Sequence, residues 1–167
     1  MHAYWAPNVW ALYAAADRVL LRLQHQTLAS TSRGLVGDTV MGALPNVPPS
    51  TCFALALSLA LVYVVPLWRK PSYTRLVVCV TLCGMASFGV GWHVHEKAIL
   101  LAALPLGLVA HRRYVDWRTF QILSAVSIVS LFPLLYTHQE TLIKLIYALI
   151  WYVVVHRTVS RRVLLSL

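Results

Sequence analysis

The sequence has few charged residues, and very few of them are acidic. Only 11% of its 167 residues are charged, with five acidic residues against fourteen lysines and arginines. A soluble domain carries about a quarter charged residues. Because 59% of the chain is hydrophobic as well, the composition excludes an ordinary soluble domain and indicates an integral membrane chain.

The basic residues also lack the single face or stripe that is typical of nucleic-acid binders. They lie in short loops between apolar runs, so we expect a lipid bilayer as a partner and no nucleic acid. Cysteine is scarce too, with three residues and no CxxC pair. Cys79 and Cys83 stand four positions apart in an apolar run, which predicts small buried hydrophobic residues rather than metal ligands or a disulfide.

The apolar runs predict an all-α integral membrane protein with about five transmembrane helices. Residues 1–50 precede the spans and are predicted to form an interfacial helix at Val9–Leu23, with Asn8 as its N-cap, and then a polar loop over 24–50. Residues 156–167 are predicted to form a tail. Within the segment 51–155, the spans are predicted at residues 51–68, 76–92, 93–110, 119–136 and 141–155.

The distribution of basic residues predicts how these spans are oriented. The loops 69–75 and 111–118 and the tail 156–167 fall on one side of an alternating topology, and each carries three basic residues, nine of the fourteen in all. The opposite loops, 93–97 and 137–140, carry only Lys97. The positive-inside rule places the first group in the cytosol. The stretch 93–97 and the long loop 24–50 are therefore predicted to face the lumen or the exterior.

One short polar stretch, residues 93–97, stands between two apolar runs and is the candidate site. It holds two histidines, a glutamate and a lysine: His93, His95, Glu96 and Lys97. Ionisable residues at membrane segments are functional candidates, because burying charge in lipid is costly. The apolar run 98–110 would span only about 20 Å as a helix, which is too short to cross a membrane. We therefore expect the helix to begin near His93, with the polar stretch in its first turn.

A helix start of this kind can bind an anion, because its free backbone N–H groups and the positive end of its dipole face the same way. His93 and Lys97 are four positions apart and would share one face, while His95 projects elsewhere. Lys97 would supply a compact positive charge to a phosphate, and a histidine would donate a hydrogen bond. Glu96 would orient His93 or a group on another segment. The stretch thus predicts a site for a phosphate-bearing lipid.

Three other interpretations of the stretch stay open. His-x-His-Glu offers ligands that metals accept, although positions i and i+2 of a helix point apart and Lys97 would repel a cation. A proton or ion relay in a multi-span transporter would use the same ionisable residues. A salt-bridged helix start with no further role is the structural alternative.

The sequence WHVHEKAILL at residues 92–101 resembles a signature of endoplasmic-reticulum glucosyltransferases that use dolichyl phosphate glucose. These are multi-span membrane enzymes of the GT-C fold. The opening HAYWAPN at residues 2–8, followed by WALY at residues 10–13, resembles the members of this family that add the second glucose to the lipid-linked oligosaccharide, as does LFPLLY at residues 131–136. The resemblance covers most of the chain.

This resemblance implies a reaction and a location. Glucose would pass from dolichyl phosphate glucose to the monoglucosylated oligosaccharide on dolichyl diphosphate, in an α-1,3 linkage and with inversion, for protein N-glycosylation in the endoplasmic-reticulum membrane. No metal or organic cofactor is implied. The phosphate of the leaving lipid would be bound by His93, His95 and Lys97, with Glu96 holding them in place. The acceptor sugars would stack on Tyr4, Trp5 and Trp10, whose alternative role is an interfacial aromatic belt.

The resemblance does not supply a catalytic base. In this family the proposed catalytic aspartate lies in the first luminal loop, and members are roughly three times longer than 167 residues. Neither Asp17 nor Asp38 matches the context of that aspartate. The chain therefore resembles the C-terminal part of such an enzyme, and we expect the catalytic residue to lie outside it and the part alone to be inactive.

Overall fold

The computed structural model describes residues 8–24, 41–92, 94–132 and 138–164, with side chains in the last range given for 139–157. All regular structure in these ranges is helical, as predicted, and they contain no strand. A short 3-10 turn leads into α4 and another into α6. The helices are α1 (Val9–Leu23), α2 (Pro49–Arg69), α3 (Tyr73–Val90), α4 (Leu100–Val109, after the 3-10 turn Glu96–Ile99), α5 (Tyr114–Leu131) and α6 (Thr141–Leu164, after the 3-10 turn His138–Glu140).

The first helix has the predicted bounds and the predicted cap. The Asn8 side chain accepts a hydrogen bond from the backbone N–H of Trp10 at 3.1 Å, which satisfies one of the donors that a helix start leaves without a partner. Of the residues in α1, only Asp17 and Leu21 are buried. Its other faces are open, which suits the predicted interfacial helix.

Helices α2 and α3 are the two described helices that are long and apolar enough to cross a membrane. Both begin slightly earlier than predicted. Pro49 stands in the first turn of α2, where a missing N–H costs nothing. At the start of α3 the Ser72 hydroxyl accepts from the backbone N–H of Arg75 at 3.3 Å, so Arg75 lies in the helix rather than in the preceding loop. Cys52 of α2 and Cys79 of α3 are buried, and Cys83 is half-buried.

The helices pack in chain order: α2 against α3, α3 against α4, α4 against α5, and α5 against α6. The contact between α3 and α4 is made by small residues. A Cβ atom added at Gly84 would lie 2.9 Å from both the carbonyl carbon and the oxygen of Leu101, and Ala102 and Ala103 are buried beside it. Small residues let helix backbones approach closely in the absence of water. The contact is therefore closed by backbone atoms.

Proline contributes to the same contact. Pro105 lies inside α4 and has no N–H, so the carbonyl of Leu101, four residues earlier, lacks its usual intrahelical partner. That carbonyl is the one that Gly84 faces.

Further along, a cluster of Val77, Leu106 and Val109 with Phe120 and Leu123 joins α3, α4 and α5.

Three further helix boundaries differ from those of the predicted spans. The third span was expected to begin near His93, but His95 is extended (φ −80°, ψ 151°) and helical geometry begins at Glu96. The fourth was expected from residue 119 but begins at Tyr114, because Asp116 in the first turn suits the helix dipole and pairs with Arg113. The last helix continues to Leu164, through most of the predicted tail. The number of spans, five, stays a prediction.

Candidate functional site

The end of α3 is closed by the start of α1. Asn8 Nδ2 donates to the carbonyl oxygen of Gly91 at 2.8 Å and to that of Phe88 at 3.3 Å. Trp10 Nε1 donates to the carbonyl oxygen of Val90 at 2.9 Å. The last carbonyls of a helix have no intrahelical partner. At the end of α3, three carbonyls instead accept from the side chains of Asn8 and Trp10, at the start of α1. We call this contact, between residues 8–10 and residues 88–92, the junction.

One amide serves both helices at the junction. The oxygen of the Asn8 side chain accepts from the N–H of Trp10 and caps α1, while its nitrogen donates to the carbonyls of α3. No charged group is needed, because an amide offers an acceptor and two donors. Asn8 therefore fixes the start of one helix to the end of another that is 80 residues away in sequence.

Aromatic rings surround the same contact. The rings of Trp10 and Trp92 meet edge to face, with centroids 6.3 Å apart, and Tyr13 meets Trp10 in the same way at 6.2 Å. The hydroxyl of Tyr13 donates to the carbonyl oxygen of Pro45 at 2.9 Å. Such pairs contribute beyond their buried area. The junction thus joins α1 to the end of α3 and to the segment before α2.

The chain turns sharply between α3 and α4. A Cβ atom at Gly91 would lie 2.5 Å from the carbonyl oxygen of Ser87 and 2.6 Å from Cγ2 of Val94, so a larger residue requires the turn to shift. The backbone N–H of Ala98 then donates to the carbonyl of His95 at 2.9 Å and closes the 3-10 turn. This turn packs against α3, α4 and α5.

The turn separates the predicted site residues by direction. Glu96 is buried, with 3% of its surface exposed, whereas His95 and Lys97 are exposed on either side of it in sequence. Glu96 is therefore enclosed where the turn packs against the helices, and the positive charge of Lys97 stays at the surface. An exposed cation and an imidazole at a helix start can bind an anion such as phosphate.

Of the remaining predicted site residues, the structure describes Trp10. It lies at the junction, where its indole N–H donates to the carbonyl of Val90 and its ring meets those of Tyr13 and Trp92. His93, Tyr4 and Trp5 lie outside the described residues. Among the residues that are described, no three metal-binding side chains come together.

One residue with a clear structural role was missed by sequence reasoning. The carboxylate of Asp17 is buried and accepts backbone hydrogen bonds from Leu44 at 2.7 Å, Ala43 at 2.8 Å and Gly42 at 3.1 Å. These bonds, that from Leu44 foremost, hold the pKa of Asp17 below its ordinary value. A carboxylate engaged in this way is a poor proton acceptor. No local pattern marks it, because its partners are 25 or more residues away.

The junction lies where the motifs at residues 2–8 and 10–13 meet the start of the motif at residues 92–101, and these are the motifs by which the chain resembles a glucosyltransferase family. The sequence profile of the ALG6, ALG8 glycosyltransferase family matches residues 1–166. The chain belongs to this family.

Curated relatives agree with that assignment. A protein of Gibberella zeae named dolichyl pyrophosphate Glc1Man9GlcNAc2 alpha-1,3-glucosyltransferase is 47% identical over 161 residues, which cover 92% of this chain and 32% of the relative. Proteins of the same name are 47% identical in Chaetomium globosum, over 90% of this chain and 33% of the relative, and 39% identical in Candida albicans, over 92% and 30%. The chain thus spans about a third of the length of these relatives. No solved structure matches it.

Proposed function

We propose that this chain is part of an α-1,3-glucosyltransferase that moves glucose from dolichyl phosphate glucose to the monoglucosylated oligosaccharide on dolichyl diphosphate. The observation that carries the proposal is the junction. It brings the start of α1, within the motifs at residues 2–8 and 10–13, into contact with Gly91 and Trp92, where the motif at residues 92–101 begins. Lys97, five residues further along that motif, is exposed. The names of relatives at 47% identity support the acceptor and the α-1,3 linkage, while the donor is taken from the resemblance.

In this proposal Lys97, His95 and His93 bind the phosphate of the donor lipid. As the bond from glucose to phosphate breaks, negative charge grows on the leaving dolichyl phosphate, and fixed donors at that point lower the barrier most. Lys97 supplies the charge and the histidines supply hydrogen bonds. Glu96 acts through the buried side of the turn, because only 3% of it is exposed. The base that deprotonates the acceptor hydroxyl is an aspartate outside this chain.

The acceptor sugar is assigned to the aromatic side of the junction. Trp10 is half-buried and has Trp92 and Tyr13 at its edges, so its position is fixed by neighbours as well as by its N–H. Tyr4 and Trp5 precede it in sequence. A rigid aromatic group presents contact area at a small entropic cost. We assign Tyr4, Trp5 and Trp10 to the acceptor oligosaccharide on this ground.

We also propose a multi-pass topology of five spans in the endoplasmic-reticulum membrane, with the junction in the lumen. Arg112 joins the α4–α5 loop to Thr74 at the start of α3, so the basic loops lie together at one end and the junction lies at the other. The positive-inside rule then orients the chain. A glycosylation acceptor site placed within residues 36–47 should be modified, and one placed within 69–75 should not. The reverse pattern would contradict the assignment.

A chimaera tests the function. This chain would replace the matching segment of the Gibberella zeae relative, in cells that lack their own enzyme for this step. The lipid-linked oligosaccharides are then resolved by the number of glucose residues. We expect the chimaera to convert the species with one glucose to that with two. The matched control carries Lys97→Ala, and the monoglucosylated species should accumulate in it.

Other outcomes would overturn the proposal. Accumulation of the oligosaccharide without glucose would assign the chain to the first glucose instead. An unchanged lipid pool in Lys97→Ala, together with a flux of ions or protons that depends on pH, would favour a transporter. Activity that is lost on chelation and restored by zinc or manganese would make residues 93–97 a metal site.

A further inference from the structure

The end of the helices opposite the junction carries a concentration of exposed cations. Six basic residues lie in or beside the loops that connect α2 to α3 and α4 to α5, and all six are exposed. We call them the basic face: Arg69, Lys70, Arg75, Arg112, Arg113 and Arg118. Glucose transfer at the junction uses none of them.

Almost none of this charge is neutralised within the protein. The one carboxylate in these loops is that of Asp116, which Arg113 holds through two bonds of 2.9 Å. The remaining five cations form no ion pair with any acidic residue in the part of the chain that is described. The basic face therefore keeps a surplus of five positive charges, close together and open to an anionic partner.

Arginine and tyrosine fix the position of two of these charges. The guanidinium of Arg112 lies over the ring of Tyr73, 5.4 Å from its centroid, and its Nη1 donates to Thr74 Oγ1. The guanidinium of Arg118 lies over the ring of Tyr114 at 5.8 Å. Stacking leaves the N–H edges of a guanidinium available for planar, bidentate contact with a phosphate. The two loops are thereby held side by side.

Large aromatic side chains surround these cations at the ends of apolar helices. Trp68 is 86% exposed, Tyr73 54% and Tyr114 53%. Tryptophan and tyrosine are enriched where a membrane protein passes from the acyl chains to the headgroups. Their position at the ends of α2, α3 and α5 places the guanidinium and ammonium groups at headgroup level, where lipid phosphates lie.

We propose that the basic face binds the headgroup of an anionic phospholipid, such as phosphatidylserine, in the leaflet opposite the junction. The unneutralised charge selects an anionic headgroup, and the stacked arginines present their donors to its phosphate. The aromatic rings hold the basic face at the depth of the headgroups in the membrane. Juxtamembrane cations contribute to binding anionic lipids in this way. The proposal rests on the membrane placement of α2 and α3 and is independent of glucose transfer.

Lipid selectivity measured on the full chain tests this proposal. The protein would be reconstituted in nanodiscs of phosphatidylcholine that contain a small fraction of spin-labelled phosphatidylserine or, separately, spin-labelled phosphatidylcholine. The immobilised fraction of each probe gives their relative affinity. We expect the unaltered protein to prefer phosphatidylserine. At low salt, the double variant Lys70→Gln/Arg118→Gln should lose about a fivefold preference for each of the two charges removed. Arg112→Lys keeps the charge and should retain most of the preference.

The control removes the same charge elsewhere. Arg22→Gln/Lys144→Gln lowers the net charge equally but leaves the basic face intact, so it should keep the preference for phosphatidylserine. Equal immobilisation of the two probes by the unaltered protein would overturn the proposal. An equal loss in both double variants would also overturn it, because the effect would then follow net charge and not this face. Neither measurement depends on glucose transfer.

Discussion

The two ends of α3 use polar side chains in opposite ways. At its last residues, Asn8 and Trp10 donate hydrogen bonds to the carbonyls of Phe88, Val90 and Gly91, so these polar groups are paired within the protein. At its first residues, cations stack on tyrosines and keep their charge exposed. The end of α3 that carries more charges is therefore not the end at which the proposed site lies. The proposed site lies at the junction end, where Lys97 is exposed.

The largest effect is expected at that lysine. Lys97→Ala should lower glucose transfer by the chimaera about ten- to a hundredfold, because a charge-assisted hydrogen bond contributes roughly 1.5–3 kcal/mol and acts here in the transition state. Lys97→Glu should abolish transfer, and Lys97→Arg should retain part of it, since a planar fork replaces a compact ammonium. Transfer rates with dolichyl phosphate glucose measure this.

A matched control separates local from general charge effects. Arg22→Glu reverses an exposed charge on α1, away from residues 93–97, and should leave transfer close to normal. If Arg22→Glu and Lys97→Glu reduced the rate equally, net charge would matter and the proposed phosphate contact would be wrong.

The next largest effect is expected at the close contact between Gly84 of α3 and the backbone of Leu101 in α4. Gly84→Ala places a methyl group 2.9 Å from the carbonyl oxygen of Leu101 and should lower the free energy of unfolding by about 1–3 kcal/mol, as overpacking does. Gly89 is in the same helix and has nothing within 4 Å of an added Cβ. Gly89→Ala should therefore be neutral or stabilise by up to about 1 kcal/mol. Thermal unfolding in detergent compares the pair.

Asn8 provides a smaller and more specific test of the junction. Asn8→Ala removes the cap of α1 and the donors to Gly91 and Phe88, and should cost about 1–2 kcal/mol of stability. Asn8→Asp keeps the cap but turns an oxygen toward those carbonyls. Because an ionised carboxylate has no proton to donate and its negative oxygen would face carbonyl oxygens, Asn8→Asp should be as destabilising as Asn8→Ala. An Asp variant as stable as the unaltered protein would mean that only the cap matters.

Local features of the sequence predicted local features of the fold. The apolar run and Asn8 predicted α1 with its cap, and the apolar runs predicted helices at α2 to α6, because these depend on neighbouring residues. The start of α5 was misplaced by five residues, since Asp116 and Arg118 read as loop charges. Their pairing with Arg113 and stacking on Tyr114 allow them to sit in the first turns.

The arrangement of the candidate site was less predictable. Residues 93–97 were identified as the candidate site from their ionisable side chains between apolar runs and from the resemblance, and their role stays a prediction. The second role of Asn8 was not predicted, since its bond to Gly91 crosses 83 residues of sequence. The burial of Glu96 was not predicted either, because the direction of a side chain in a 3-10 turn depends on the helices that pack against it.

The smallest effects are expected at two carboxylates, one buried (Asp17) and one half-buried beside an exposed arginine (Asp116). Asp17 has a pKa lowered by backbone donors, that of Leu44 first, so its stabilising contribution is present above the ordinary value of about 3.9 and is lost as the pH falls through the lowered pKa. Asp17→Asn lacks this charge. The difference in melting temperature between the two proteins should therefore be constant near neutral pH and shrink in acid.

Asp116→Asn is the counterpart at the basic face. Its partner Arg113 has a side chain that is 71% exposed, so the pair is screened and contributes little. Its small effect on the melting temperature should decrease further as salt is added, while that of Asp17→Asn should not, because three backbone hydrogen bonds on a buried carboxylate do not depend on ionic strength. If salt reduced both effects equally, Asp17 would act as a surface charge and would not fix α1 to residues 42–44.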